Sequence, residues 1–110
     1  MVTLISQNLS EFVLHLRAIL GLPIPGIDLL GPSASAVILA DRESSDFAFD
    51  GLAAALALGQ PGAPVDTRIF GKPNTLRNRR MAVALAGDET VEEAITRATD
   101  AASRIHIRYS

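Results

Sequence analysis

Two runs of strict alternation leave this chain little choice of fold. Val65, Thr67 and Ile69 share one face of Val65–Phe70, and Met81, Val83 and Leu85 alternate with Ala82, Ala84 and Ala86 across Met81–Ala86. A period of two is the mark of a β-strand. The alanine side of the second run is thin, which suits a helix packed close against a sheet. A helix signal follows at once. Thr90 and Glu93 form a capping box, and Val91, Ala94, Ile95, Ala98, Ala101 and Ala102 make a stripe that predicts a helix over about 91–103. Ile105, Ile107 and Tyr109 then alternate with Arg104, His106 and Arg108 as a last strand, with His106 facing solvent.

The first half is read the same way. Met1–Ile5 reads as a strand end. Asn8 with Glu11 three residues on predicts an N-cap, and Leu9, Phe12, Val13, Leu16, Ile19 and Leu20 follow at helical spacing. The helix is therefore expected over 9–20, ending at Gly21 before Pro23. Leu22–Gly26 is rigid punctuation and a candidate domain boundary. Ser35–Ala40 reads as a buried strand and Phe47–Phe49 as a short one. Asp50 is placed to cap an alanine-rich helix over 51–58. With the short 47–49 run left uncounted, the predicted order is a helix, then β-α-β-β-α-β, an α+β fold with a mostly antiparallel sheet and two helices.

Length and composition narrow the class. A chain of 110 residues with 48% apolar content fits one small globular unit. It has no cysteine, so disulfides and thiolate metal sites are excluded. His15 and His106 lie far apart and outside any ligand motif, so no zinc site is expected. No apolar run approaches the roughly 18 residues of a membrane span, and no basic n-region precedes an apolar stretch. The expectation is a cytoplasmic chain with no membrane and no nucleic-acid partner. A net charge of −2 with few aromatics is the opposite of a broad basic face.

The basic residues are unevenly spread. Lys72, the only lysine, lies with Arg77, Arg79 and Arg80 between the two alternating runs, so four of the ten basic groups fall in one loop. Arginine forks and a lysine point charge match phosphate or carboxylate. The loop reads equally as a solvated hairpin tip. Arg79 and Arg80 are adjacent, so in a regular strand they face opposite ways. Both reach one ligand only if the strand begins irregularly, or if the ligand lies across its end. His15, one turn after Glu11, reads as a surface pair worth about 0.3 kcal/mol. The carboxylates form no metal-ligand pattern, and no P-loop, Gly-x-Gly-x-x-Gly or nucleophile elbow is present. No catalytic residue is expected on the chain itself.

Several stretches carry a resemblance. Ser6-Gln7-Asn8-Leu9-Ser10-Glu11-Phe12, His15 and Arg17-Ala18-Ile19-Leu20-Gly21-Leu22-Pro23 look like a signature of purine-biosynthetic ATP-grasp enzymes. Gly31–Leu39, Arg68–Pro73, Arg79-Arg80 and Val83–Ala86 resemble the formate-dependent phosphoribosylglycinamide formyltransferases, over essentially the whole chain. The carboxyaminoimidazole ribonucleotide synthases, which share the His-x-Arg-Ala helix and a Gly-Lys loop, are the alternative. A stand-alone structural or anion-binding module is the reading from a different class.

The resemblance implies a reaction. Members of the family use ATP and magnesium to activate formate as formyl phosphate, which the amine of glycinamide ribonucleotide attacks. Residue by residue it implies that Lys72, Arg79 and Arg80 hold glycinamide ribonucleotide. It implies further that residues 1–26 are the tail of the ATP-grasp domain and 27–110 its C-terminal substrate-clamping lobe. The family's ATP and magnesium ligands lie upstream of the position matching Met1. No cofactor is therefore expected on this chain, and alone it is expected to be an inactive piece of a longer enzyme, with homo-oligomerisation expected. Two positions depart from the family pattern: Ala82 and Arg77 stand where glycine is usual.

Overall fold

The computed structural model describes residues 1–110. Helix α1 (Thr3–Ser6) and helix α2 (Glu11–Leu20) lead into strands β1 (Ser33–Leu39) and β2 (Phe47–Asp50). Helix α3 (Leu52–Leu56), strands β3 (Val65–Ile69) and β4 (Arg80–Gly87), helix α4 (Val91–Arg104) and strand β5 (His106–Tyr109) complete the chain. Every pairing is antiparallel. One sheet has the order β1-β4-β3, and β2 pairs with β5 in a second. The expected α+β class, with antiparallel pairing and two helices after residue 27, is what forms.

The alanine face does what its thinness allows. Ala82 and Ala84 of β4 pack with Ala101 of α4, Ala55 of α3, Ile38 and Ile105 in one buried cluster. Methyl-sized side chains on both surfaces let helix and sheet approach closely, and packing at that density is sensitive to single methylenes. Ala82 is thus a core residue. Arg97 fastens α4 from outside: its Nε donates to Asp88 Oδ2 at 2.9 Å and its Nη1 to the Leu58 carbonyl at 2.8 Å.

The Arg97 hydrogen bond, and behind it the Glu89 N–H, hold the Asp88 carboxyl below its usual pKa. A carboxyl depressed in the folded state stabilises above its unfolded pKa of about 3.9, and that contribution is lost as pH falls through the lower folded value. The Tm gap between the native chain and Asp88→Asn should therefore be present at pH 7 and close below about pH 4. A gap that persists unchanged in acid would show that Asp88 acts through packing alone.

Several local expectations are corrected. Met1–Ile5 is no strand end; Thr3–Ser6 is a helical turn. The N-cap of α2 is Ser10, whose Oγ accepts from the Val13 N–H at 3.2 Å. Asn8 instead pins the returning chain, accepting from the Asp28 N–H at 2.9 Å while its own N–H donates to the Asp28 carbonyl. Glu11 pairs with the N-terminal ammonium at 2.7 Å and makes no ion pair with His15. Asp50 caps nothing: the N-cap position of α3 is Gly51, and Asp50 pairs with Arg108 of the neighbouring strand at 2.9 Å. The expected buried strand at 35–40 is an edge strand, with Ser35, Val37 and Leu39 exposed.

The C-terminal end of α2 is where the sequence placed it, whereas α3 stops at Leu56, short of the expected 58. Gly21 takes the left-handed conformation at φ 65°, and the Leu22 N–H closes the turn on the Arg17 carbonyl at 2.8 Å. Yet α2 buries none of its residues. The radius of gyration is 15.4 Å, against about 13 Å for a compact chain of this length.

Candidate functional site

The basic loop is tied down at several points. Thr75 is fully buried and forms an isolated bridge with Ser44. Its N–H donates to the Ser44 carbonyl at 2.7 Å, and the Ser44 N–H donates back at 3.3 Å. Further on, the Asn78 N–H donates to the Ala40 carbonyl at 2.7 Å, and the Ala40 N–H to the Arg79 carbonyl at 2.9 Å. Asn78 carries the turn at φ 65°, the only residue besides glycine with positive φ; asparagine tolerates that region better than most. A solvated hairpin tip would show none of these cross-links.

The strand does begin irregularly. The β1–β4 register slips between Ile38, opposite Ala82, and Leu39, opposite Arg80, so Met81 is the extra residue of a bulge. Strict alternation from Ala82 would put Arg80 on the alanine face, against α4. The bulge breaks the alternation and re-aims the side chain. Arg80 instead lines an open cleft of about 570 Å³ with Lys72, Phe70, Ser35, Val37, Val83 and Met1.

Lys72 and Arg80 thus meet at one cleft, both exposed. Neither belongs to any of the six ion pairs of the chain. Arg68 of β3 differs, since its Nη1 is held by Asp66 Oδ2 at 2.5 Å. Two unneutralised cations above an apolar floor of Val37, Val83 and Phe70 suit an anionic group attached to a less polar body. Arg79 is placed otherwise. Its Nη1 donates to the Asn74 carbonyl at 3.2 Å and to Asn74 Oδ1 at 2.5 Å, and it does not line the cleft. Arg77 is exposed and lies outside the cleft as well.

Sequence reasoning missed the residues that hold the loop. Ser44 and Thr75 are separated by 31 positions, and nothing near either one marks it as an anchor. Asn74 had a weak signal, an amide one residue after Pro73, where side-chain hydrogen bonding to the local backbone is common. A second cleft, of about 580 Å³, is acidic, with Asp88, Glu92, Glu93 and Asp100 around Arg97. It shares no residue with the basic one. No three His, Asp or Glu side chains converge closely enough to hold a metal ion. No helix is long and apolar enough to cross a membrane.

The chain is similar to known proteins. The chain is 63% identical over 108 residues to the formate-dependent phosphoribosylglycinamide formyltransferase of Trichormus variabilis, covering 97% of this chain and 26% of that protein. It is 59% identical over 110 residues to the enzyme of the same name from Synechococcus elongatus, covering 100% of this chain and 27% of the relative. The chain therefore spans about a quarter of the length of these curated relatives. The crystal structure of N5-carboxyaminoimidazole ribonucleotide synthetase from Thermotoga maritima superposes with a TM-score of 0.82 at 28% identity, over 98% of this chain and 29% of that one. The family described as PurT, C-terminal, matches residues 33–105, a span that holds the bulged strand, the basic loop and the capped helix. The chain belongs to the PurT C-terminal family.

Proposed function

We propose that this chain is the substrate-clamping C-terminal part of a formate-dependent phosphoribosylglycinamide formyltransferase, with Lys72, Arg79 and Arg80 holding glycinamide ribonucleotide. The observation that carries this reading is the meeting of Lys72 and Arg80 at one cleft with no protein carboxylate to neutralise them. A phosphate on the substrate would supply the missing charge, and fixed cations would orient the phosphoribosyl amine for attack on the activated formate. The higher identity to the formyltransferases, against 28% to the synthetase, favours formyl transfer over carboxylation as the chemistry of the longer enzyme.

Arg79 takes part by exchanging Asn74 for the ligand. ATP and magnesium would activate formate in the longer protein. Nothing among these residues forms a cluster to hold the metal, and no step on this chain is routed through it. Residues 1–26 are read as the tail of the ATP-grasp domain and 27–110 as the clamping lobe. The match beginning at residue 33 favours that division. The isolated chain is read as inactive, self-associating and cytoplasmic.

The test uses the longer enzyme. Lys72→Ala and Arg80→Ala should each raise KM for glycinamide ribonucleotide by about 10–100-fold, the loss of one charge-assisted hydrogen bond. KM for ATP should stay within about twofold. Unchanged substrate affinity in both variants would overturn the assignment.

A further inference from the structure

The basic loop is fastened to residues 40–46, and that segment is itself fastened to the far end of the chain. Tyr109 Oη accepts from the Asp41 N–H at 3.0 Å, across 68 positions. The Arg42 guanidinium stacks on the Tyr109 ring, 4.6 Å from its centroid. The same guanidinium grips Asp41 with Nε at 2.9 Å and Nη2 at 3.3 Å. That grip holds the Asp41 carboxyl below its usual pKa. The Ser110 N–H donates to the Asp46 carbonyl at 3.1 Å, and Ser44 Oγ donates to the same carbonyl at 2.8 Å. Residues 41–46 form no helix and only an isolated bridge. Their position is set by these bonds and by the pairing of Tyr109 opposite Phe47.

We propose that Tyr109 is a positioning residue for the basic loop. Through Asp41 and Arg42 it holds the 40–46 segment, whose Ala40 and Ser44 backbone groups hold Asn78, Arg79 and Thr75. Lys72 and Arg80 lie at the two ends of the loop so restrained. A loop ordered before the ligand arrives spares the ligand the entropy of ordering it. The consequence for affinity rests on the reading of Lys72 and Arg80 as the phosphate-holding pair. The order of the loop does not.

Two measurements separate these levels. Amide hydrogen exchange of Tyr109→Phe, which keeps the ring and loses the acceptor, should quicken roughly three- to tenfold at Ser44, Thr75 and Asn78, the cost of about one hydrogen bond. Val83 and Leu85 in β4 should exchange as before. Arg108→Gln, which removes a neighbouring ion pair on the same strand, should leave the loop amides unchanged. Arg42→Gln should quicken the loop amides in the same sense but less. Loop exchange that is unchanged in Tyr109→Phe, or quickened equally in β4, overturns the proposal. The second measurement is calorimetric titration with ribose 5-phosphate, where Tyr109→Phe should weaken binding roughly three- to tenfold. If the native chain does not bind ribose 5-phosphate, the phosphate reading fails, and the exchange data still decide the role of Tyr109.

Discussion

Replacing Gly51 by alanine should cost about 3 kcal/mol or more, and the variant should melt roughly 10–20 °C below the native chain. Gly51 is the corner between β2 and α3 and has φ 90°, a region that L side chains avoid. A Cβ there would also overlap the carbonyl oxygen of Arg104, the last residue of α4. Neither body can yield cheaply. Arg104 leads directly into β5, which pairs with β2 at Asp50 opposite His106, and Ala55 and Ala101 on the two helices share the buried cluster. Gly26 is the matched control, because a Cβ at Gly26 meets nothing within 4 Å. Gly26→Ala should stay within about 0.5 kcal/mol. Thermal unfolding followed by circular dichroism decides it. A Gly51→Ala chain melting within 2 °C or so of native would mean that the corner is looser than its geometry.

The second large effect concerns association. Phe12, Leu16 and Ile19 form one stripe of α2 and are each more than half exposed, at 52%, 54% and 67%. Leu20, Leu22, Ile27, Leu29 and Leu30 extend the apolar surface along the arm that follows. A contiguous apolar stripe of this kind favours burial against another copy. The isolated chain should self-associate at concentrations of roughly 100 μM by light scattering, against a monomer of 11.6 kDa. Phe12→Glu with Ile19→Glu should weaken that association by more than about 100-fold. Each large apolar side chain contributes about 1.5–3 kcal/mol on burial and counts twice in a symmetric interface. Because α2 buries none of its residues within the chain, the unfolding of the packed sheets and helices after it should barely move. A native chain that stays monomeric at high concentration would sink the prediction.

How much of this was legible depends on the range of the interaction. The Gly21 stop, the Thr90 cap on the Glu93 N–H at 3.1 Å, and the alternation of β4 are set by neighbours within a few positions. Those readings hold to within a residue or two. The N-cap of α2 went to Ser10 because Asn8 had a better use, holding Asp28 twenty positions away. Asp50 was lost as a cap for the same reason, drawn off to Arg108 across 58 positions. A local propensity worth about 1 kcal/mol yields readily to a tertiary partner.

By itself the sequence determined the strand and helix periods, the thin alanine face that invites α4, and the cluster of cations between β3 and β4. It also carried the family, through stretches that the similarity to the formyltransferases matches along nearly the whole chain. Only the tertiary structure decided which cations share a cleft. The bulge at Met81 turns Arg80 out beside Lys72, Asn74 takes Arg79, and Arg77 is left in solvent. The loop, which by sequence read equally as an anion clamp or a solvated tip, is pinned through Ser44 and Thr75, and beyond them Tyr109. These bonds join residues 31 and 68 positions apart. Periodicity reports only on neighbours a few residues away, and bonds at such separations exist only once the sheets have formed.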